Sequence, residues 1–241
     1  MWIDVNLDVR ADSRGRDPDV HSPSLRQFHK ILWSKDLPSG DRLALTDQVP
    51  GTYLRAEVAD RYFSLASDSA IPTFTMRKRL KPILDYFPPD DLKEFRDLSY
   101  TIGAFIVFPG DQRDGQMTIN GARGFNHRIS DRFDLTLECI RRHYLGQSSP
   151  LSETLSRYND WFDLFIDFAG FVEFFLLQDF VSSRYEVIFQ LPFDDFSSSG
   201  SPKDAASYDA YKTVVTSMVA RRNQRIAQSQ NLVGDHDAGF A

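Results

Sequence analysis

The most constraining feature of this 241-residue chain is a dense run of aromatic side chains in its second half. Of its 20 Phe, 9 Tyr and 3 Trp residues, nine lie within residues 158–180. Burying an aromatic ring removes a large apolar area from water, so this segment is expected at the centre of the core. Apolar residues recur at helical spacing from Leu151 to Phe165, which predicts one helix there. Gly170 is expected to break or kink the helical run.

Composition places the chain among folded proteins and narrows its partners. The chain is 41% hydrophobic and 26% charged, which are ordinary values for a globular domain. Its net charge is −6. A mildly acidic chain has no general attraction for polyanions, which argues against a dedicated nucleic-acid binder.

Cysteine content and hydropathy both indicate the cytoplasm. Cys139 is the only cysteine, so a disulfide within the chain and a cysteine-based zinc site are excluded. Residues 1–10 contain no apolar run of the kind found in signal peptides. Residues 171–181 are too short and too charged to span a bilayer. We expect a cytoplasmic protein with no membrane partner and an inert thiol at Cys139.

Several segments have the patterns of β-strands. Residues 100–108 are apolar almost throughout, which predicts a strand that is central in its sheet and covered on both faces. After a turn, residues 116–120 are expected to return as the next strand. Short mixed runs within residues 42–75 and the alternation of residues 185–191 predict further strands.

Helix signals complete the predicted architecture. Ser22-Pro23 has the pattern of a helix start, and Ser201-Pro202 is expected to begin a last helix that reaches Ala227. The strands of the first half and the aromatic helices of the second half each have apolar faces that must be buried against another element. We therefore predict one α+β domain over residues 1–228, a small and mostly antiparallel sheet packed by aromatic-rich helices. Residues 229–241 are expected to form a flexible tail.

Residues 118–128 are the first candidate for a ligand site. Gly121 and Gly124 permit close approach of the backbone, and the segment is expected to be a loop that leads into a helix N-terminus. Backbone N–H groups and the helix dipole favour an anion at such a place. Asn120, Arg123 and Asn126 are the expected binding residues, because a guanidinium holds phosphate or carboxylate through paired hydrogen bonds.

The same segment also fits a structural role. In that interpretation the asparagines adopt turn conformations, and Arg123 pairs with an internal carboxylate such as Asp131 or Asp134. Asp131 already places negative charge at the start of the next helix, which weakens the attraction for an anionic ligand. The sequence leaves both interpretations open.

The following helix, residues 131–144, supplies the candidates for proton transfer. Its acidic residues come early and its basic residues late, and Glu138 and Arg142 form an i,i+4 pair, which explains most of its charge. The functional interpretation turns Arg132 and His143 toward a pocket. Arg132 would then contribute to ligand binding, and His143 or Glu138 would act as acid or base.

No established catalytic or metal-binding motif is present. The chain lacks a Gly-x-Ser-x-Gly elbow, a phosphate-binding Gly-x₄-Gly-Lys loop and a Gly-x-Gly-x-x-Gly turn. Its five histidines are scattered, and the adjacent acids Asp194 and Asp195 match no metal signature. No metal site is predicted, and the sequence names no cofactor.

Three stretches resemble an uncharacterised bacterial family, one of the domains of unknown function. They are TINGARGF at residues 118–125, DRFDLTLECIRRHYLG at 131–146 and FFLLQD at 174–179. The resemblance extends from the Ser22-Pro23 helix to the last long helix and implies a self-contained bacterial domain. No activity is assigned to that family, so the resemblance transfers no catalytic residue.

Two classes of function remain open from sequence. The first is an enzyme or ligand-binding protein that recognises an anionic, phosphate-like or nucleotide-like molecule at residues 118–128. The second is a non-catalytic interaction module, or a self-associating homo-oligomer, whose surplus aromatic residues form a surface. Burial separates the two. If Asn120 and Arg123 line an open cleft, the first is favoured. If they are enclosed and fully paired while several aromatic residues are exposed in one patch, the second is favoured; those residues are Trp161, Phe168, Phe171 and Phe175.

Overall fold

The short alternating runs of the first half come together in one antiparallel sheet. The computed structural model describes residues 2–47 and 51–234. Strands β1 (Ala44–Thr46), β2 (Leu54–Val58), β3 (Arg61–Ser69) and β4 (Phe105–Pro109) lie side by side in chain order, each antiparallel to the next. Burial alternates along β2, so that one of its faces is directed to the core.

Helices surround this sheet, and together they confirm the predicted α+β class. The α-helices of the described residues are α1 (Pro18–His21), α2 (Pro23–Trp33), α3 (Lys81–Leu84), α4 (Pro89–Leu98), α5 (Ile119–Phe125), α6 (Phe133–Tyr144), α7 (Ser152–Ser156), α8 (Asn159–Phe162), α9 (Phe168–Phe174) and α10 (Ala205–Gly234). Short 3₁₀ turns occupy Lys78–Leu80, Ile102–Ala104, Asp163–Phe165 and Gln178–Phe180.

Strand β4 is buried as predicted, but it lies at an edge of the sheet rather than at its centre. All five of its residues are buried, and in the described part of the chain β3 is its one strand neighbour. A helix covers its other edge, where Nη1 of Arg222 on α10 donates to the Phe105 carbonyl oxygen at 2.7 Å. The apolar run therefore reflects cover by helices, which composition does not distinguish from cover by strands.

The segment predicted as a strand (116–120) and then a loop (118–128) is largely the helix α5, so both expectations are wrong. The Thr118 hydroxyl caps this helix by accepting a hydrogen bond from the Gly121 N–H at 3.2 Å. Two glycines in a helix of seven residues lower its intrinsic propensity. Packing of α5 against β4 outweighs that preference.

The aromatic segment lies at the centre of the core, as predicted. Trp161, Phe165, Phe171 and Phe175 are fully buried. Their rings pack edge-on or tilted, for example at 5.4 Å between the centroids of Phe165 and Phe171 and at 4.9 Å between those of Phe171 and Phe175. Such contacts stabilise the core beyond simple burial of area.

The helical run from Leu151 to Phe165 is not one helix, and Gly170 does not break it. The chain turns at Ile166, whose φ of 68° and ψ of −55° form a γ-turn closed by an Asp167 N–H to Phe165 carbonyl bond of 2.8 Å. Gly170 lies inside α9. A Cβ at position 170 would lie 2.1 Å from the Phe165 carbonyl oxygen, so glycine is required by this close approach.

Two capping signals in the sequence predict helix ends correctly. Ser22 caps α2 by accepting from the Leu25 N–H at 3.0 Å, and Pro23 is the first helical residue. Gly146, with φ of 65°, ends α6 as predicted, and the Gln147 N–H bonds to the Arg142 carbonyl oxygen. Cys139 is buried, and burial raises the pKa of its thiol to about 12.

The C-terminal third departs from prediction in three places. Helix α10 begins at Ala205 rather than at the Ser201-Pro202 pair, and it extends to Gly234, beyond the predicted end at Ala227. Residues 235–241 of the predicted tail lie outside the described residues. Within the described part of the chain, the predicted strand at 185–191 is reduced to a single bridge between Val181 and Val187.

Candidate functional site

The six residues singled out from sequence lie in separate places along α5 and α6. Asn120 and Arg123 enter a polar cluster against β3, and Asn126 follows α5. Arg132 and Glu138 are buried in internal ion pairs. His143 lies apart from all of these, in the wall of an open cleft.

Arg123 is completely buried and fully engaged by the protein. Its guanidinium donates to the Thr136 hydroxyl at 3.2 Å, to the Asp68 carboxylate at 3.1 Å and to the carbonyl oxygens of Ser69 and Asp131. The Asp131 carboxylate lies 3.3 Å from the same Nη1 atom. Pairing with Asp131 was the structural interpretation of this residue, and the geometry supports it.

The carboxylates around Arg123 are partly exposed, whereas the guanidinium itself is not. Burial raises the pKa of Asp131 to about 6, partly opposed by the Arg123 charge. Ser130 and Asp131 both have positive φ, at 52° and 67°. The neighbouring Asn120 donates from its amide nitrogen to the Ala66 carbonyl oxygen at 3.3 Å. These contacts tie α5 to β3 and to the start of α6.

Asn126 and Arg132 are also satisfied by the protein. Asn126 accepts from the Arg128 N–H at 2.9 Å and donates to the Pro150 carbonyl oxygen at 3.3 Å, which is the turn role considered for it. Arg132 is buried, forms two hydrogen bonds to Asp134 and donates to the Gly200 carbonyl oxygen. Neither side chain presents a free group to a ligand.

Glu138 is held by two arginines of its own helix. It is buried and accepts from Arg141 at 2.7 and 2.9 Å and from Arg142 at 2.8 Å. The predicted i,i+4 pair with Arg142 is confirmed. Both carboxylate oxygens of Glu138 are therefore engaged within the helix, and neither is left free for a ligand.

Two of the six have unbonded polar atoms, and of these only His143 lines an open cleft, because the unbonded Oδ1 of Asn120 is buried. Its imidazole is half-buried, and neither ring nitrogen hydrogen-bonds to a described residue. The ring packs against Phe162, with 5.1 Å between centroids, and against Tyr144. Packing therefore fixes the ring while its nitrogens stay available.

The cleft beside His143 has a volume of about 670 Å³. It lies between the C-terminal end of α6 and the α7–α8 region that follows. Its wall is formed by residues His143, Tyr144, Gly146, Gln147, Ser148, Ser152, Ser156, Asn159, Phe162, Asp163 and Ile166. The volume is in the range of small-molecule sites.

Two opposing effects set the charge of His143. Partial burial lowers its pKa below the ordinary 6.5, and the nearby Asp163 carboxylate opposes that shift. The ring is therefore neutral at pH 7, with one nitrogen able to donate and the other able to accept a proton. A neutral imidazole beside a carboxylate is a common arrangement for acid–base chemistry.

Sequence reasoning singled out His143 as a candidate but not the residues across the cleft from it. Asn159 and Asp163 are four residues apart on successive helical turns, which places both on the cleft side. That spacing is visible in the sequence. The sequence does not show that Asp163 lies across the cleft from His143, about twenty residues earlier in the chain. Ile166 also lines the cleft, 62% exposed and in the strained γ-turn. Strain of this kind concentrates at functional sites.

Other basic groups near α5 do not form an anion site. Arg128 and Lys203 line a second cleft of about 270 Å³, between the start of α6 and the start of α10. Asp194 and Asp204 line the same cleft, and Arg132 beneath it is neutralised by Asp134. Its charges therefore balance.

The aromatic residues considered for an interaction surface form core instead. Trp161, Phe171 and Phe175 are fully buried, and Phe168 is 7% exposed. No group of three or more His, Cys, Asp or Glu side chains suited to a metal occurs among the described residues. In the same part of the chain, no helix has the length and apolarity needed to cross a membrane.

Comparison with known proteins yields a family but no activity. A family model described as a family of unknown function, DUF6994, matches residues 3–226. No curated protein and no solved structure matches the chain.

Proposed function

Taking as premise that the chain belongs to the DUF6994 family of unknown function, we propose that it binds a small polar molecule in the cleft at the end of α6. His143 and Asp163 are the proton-transferring pair of this site. Gln147 and Asn159 contact the ligand. The site is thus displaced from residues 118–128 to the opposite end of the following helix.

One observation carries the proposal. Of the six candidate residues, only His143 combines a packed ring, free nitrogens and a position in a concave wall. Contact with Phe162 holds the ring in the wall of the cleft, and such positioning lowers the entropic cost of engaging a ligand. The Asp163 carboxylate stabilises the imidazolium that proton uptake would create.

An anion-binding role at residues 118–128 has less support. The Arg123 guanidinium would have to leave five hydrogen bonds inside the protein to reach a ligand. Breaking a buried charged network of this kind costs about 3 kcal/mol or more. An ion pair with an exposed anion stabilises by about 1 kcal/mol or less, so it does not offset that cost.

Ligand-observed NMR with a panel of small polar compounds tests the proposal. The matched variants are His143→Gln in the cleft and His127→Gln, which removes an exposed imidazole from the segment after α5. We expect compounds that bind the wild-type protein to lose at least about tenfold in affinity in His143→Gln, a change of 1.4 kcal/mol. His127→Gln should bind as the wild type does. Binding that is equal in both variants, or absent from the wild type, would contradict the proposal.

A further inference from the structure

Resting on the proposed function, we infer that the ligand of the His143 cleft is a neutral, hydroxyl-rich molecule of the saccharide class. The charge of the cleft, its donors and acceptors and the exposed apolar side chain at its edge all favour such a ligand.

The charge of the cleft disfavours an anionic ligand. Among the described residues, no Lys or Arg lines it, and Asp163 is the one carboxylate that does. The C-terminal end of α6, a helix of 12 residues, adds the negative end of its dipole. His143 contributes no positive charge at pH 7, because burial lowers its pKa. A phosphate or carboxylate would thus meet repulsion without a compensating cation.

A cationic ligand is also poorly served. Asp163 is exposed, and a single exposed carboxylate attracts a cation with less than about 1 kcal/mol in water. Selective cation binding needs several carboxylates or a desolvated one, and the lining offers neither. The electrostatics of the cleft therefore favour a ligand without net charge.

The hydrogen-bonding groups of the cleft match hydroxyl groups. Gln147 and Asn159 each present an amide that both donates and accepts, and neither side chain bonds to a described residue. Ser148 adds a hydroxyl, and Asp163 adds acceptors. Hydroxyl groups also donate and accept, so a polyol satisfies this mixed set better than a ligand with donors or acceptors alone.

The edge of the cleft supplies an apolar contact. Ile166 is 62% exposed and is held outward by the γ-turn. The carbon-bound face of a sugar ring is apolar, so it can cover Ile166 while the ring hydroxyls reach Asn159 and Gln147. A volume of about 670 Å³ leaves room for one or two sugar rings.

The test uses a panel of neutral monosaccharides and disaccharides, followed by amide NMR of the isotope-labelled protein. The neutral sugar that binds best is then compared with its amino and its phosphorylated derivative, which differ from it chiefly in charge. The matched variants are Gln147→Ala in the cleft and Gln112→Ala, an exposed glutamine outside its lining.

We expect the neutral sugar to shift the signals of Gln147, Asn159 and Ile166 and to bind at least about tenfold more tightly than its phosphate ester. Gln147→Ala should weaken binding a few-fold, and Gln112→Ala should leave it unchanged. Stronger binding of the phosphorylated or amino derivative overturns the inference, as does a panel in which no sugar shifts these signals. If other polar compounds still bind in a His143-dependent manner, the proposed function survives that failure. If nothing binds there, both fail.

Discussion

At the scale of single residues, this protein uses buried charge to hold its elements together. Arg123 joins α5 to β3 through Asp68 and Ser69, and to the start of α6 through Asp131 and Thr136. A guanidinium with no exposed area depends on such partners, because an unpaired buried charge is costly.

Arg123→Ala should therefore destabilise the protein by about 3 kcal/mol, since it removes the guanidinium that lies 3.3 Å from the Asp131 carboxylate and leaves the buried acceptors around it unpaired. Arg128→Ala is the matched control, because this exposed arginine on the same segment has no ion-pair partner among the described residues. Its effect should stay within about 0.5 kcal/mol. Urea unfolding measures both. Equal stability of the two variants would contradict the structural role of Arg123.

The buried Asp19 carboxylate should make the free energy of unfolding depend on pH. Its buried carboxylate accepts from the N–H and hydroxyl of Ser67 at 2.7 and 2.5 Å, and burial raises its pKa from 3.8 to about 7. The adjacent His29 is neutral, because burial lowers its pKa to about 3. The protonated form is thus favoured by folding. Its stabilising contribution is complete below pH 4 and is lost as the pH rises through 7.

Asp19→Asn removes this titration at nearly constant shape. Relative to the wild type, the variant should therefore gain free energy of unfolding as the pH rises from 5 to 8. Urea unfolding at several pH values measures the difference. A difference that is constant with pH, or that changes in the opposite direction, would show that Asp19 does not titrate in this range.

At the scale of elements, close backbone contacts decide where helices begin and end. The γ-turn at Ile166 brings the Phe165 carbonyl oxygen onto α9, and Gly170 is the residue that makes room for it. The segment therefore packs as short helices around the aromatic core.

Gly170→Ala should destabilise the protein by about 2 kcal/mol, the usual cost of overpacking. Gly121→Ala is the matched control within α5, where the nearest atom to an added Cβ is 3.5 Å away. Because alanine favours helix over glycine, that change should stabilise by up to about 1 kcal/mol. Thermal unfolding of both variants checks the contrast, and a neutral Gly170→Ala would refute the close approach.

Local signals predicted the elements whose ends depend on local chemistry. Ser22-Pro23 begins α2 and Gly146 ends α6, because caps act through hydrogen bonds within a few residues. The same reasoning failed for α5 and for the run from Leu151 to Phe165. There the outcome depends on contacts with distant parts of the chain, such as the packing of α5 on β4.

At the scale of the whole molecule, α10 joins two hydrophobic clusters. Its Tyr208 and Tyr211 pack with α4 in the smaller cluster, and its Met218 and Ile226 enter the larger one. On the same helix, Arg222 is fully buried and donates to four carbonyl oxygens, those of Gly103, Phe105, Phe175 and Leu176.

This connection predicts that both clusters unfold together. Trp33 and Trp161 report on the larger cluster by fluorescence, and fluorotyrosine NMR of Tyr208 and Tyr211 reports on the smaller one. The two urea midpoints should coincide. Midpoints that differ beyond error would mean that α10 does not couple the clusters.

The candidate site was only partly predictable for the same reason. His143 has the titration range of an acid or base, which its residue type shows. The engagement of Arg123 by Asp68, 55 residues earlier in the chain, required the three-dimensional structure. So did the position of Asp163 opposite His143.

The central claim is that ligand chemistry belongs to the cleft at the end of α6 and not to the segment around α5. Side-chain NMR of the histidine rings tests it directly, because His143 lies in the cleft and His127 lies in the segment after α5. On addition of the polar compound panel, the ring signals of His143 should shift and saturate while those of His127 stay fixed. Shifts at His127 with His143 unmoved would contradict the account.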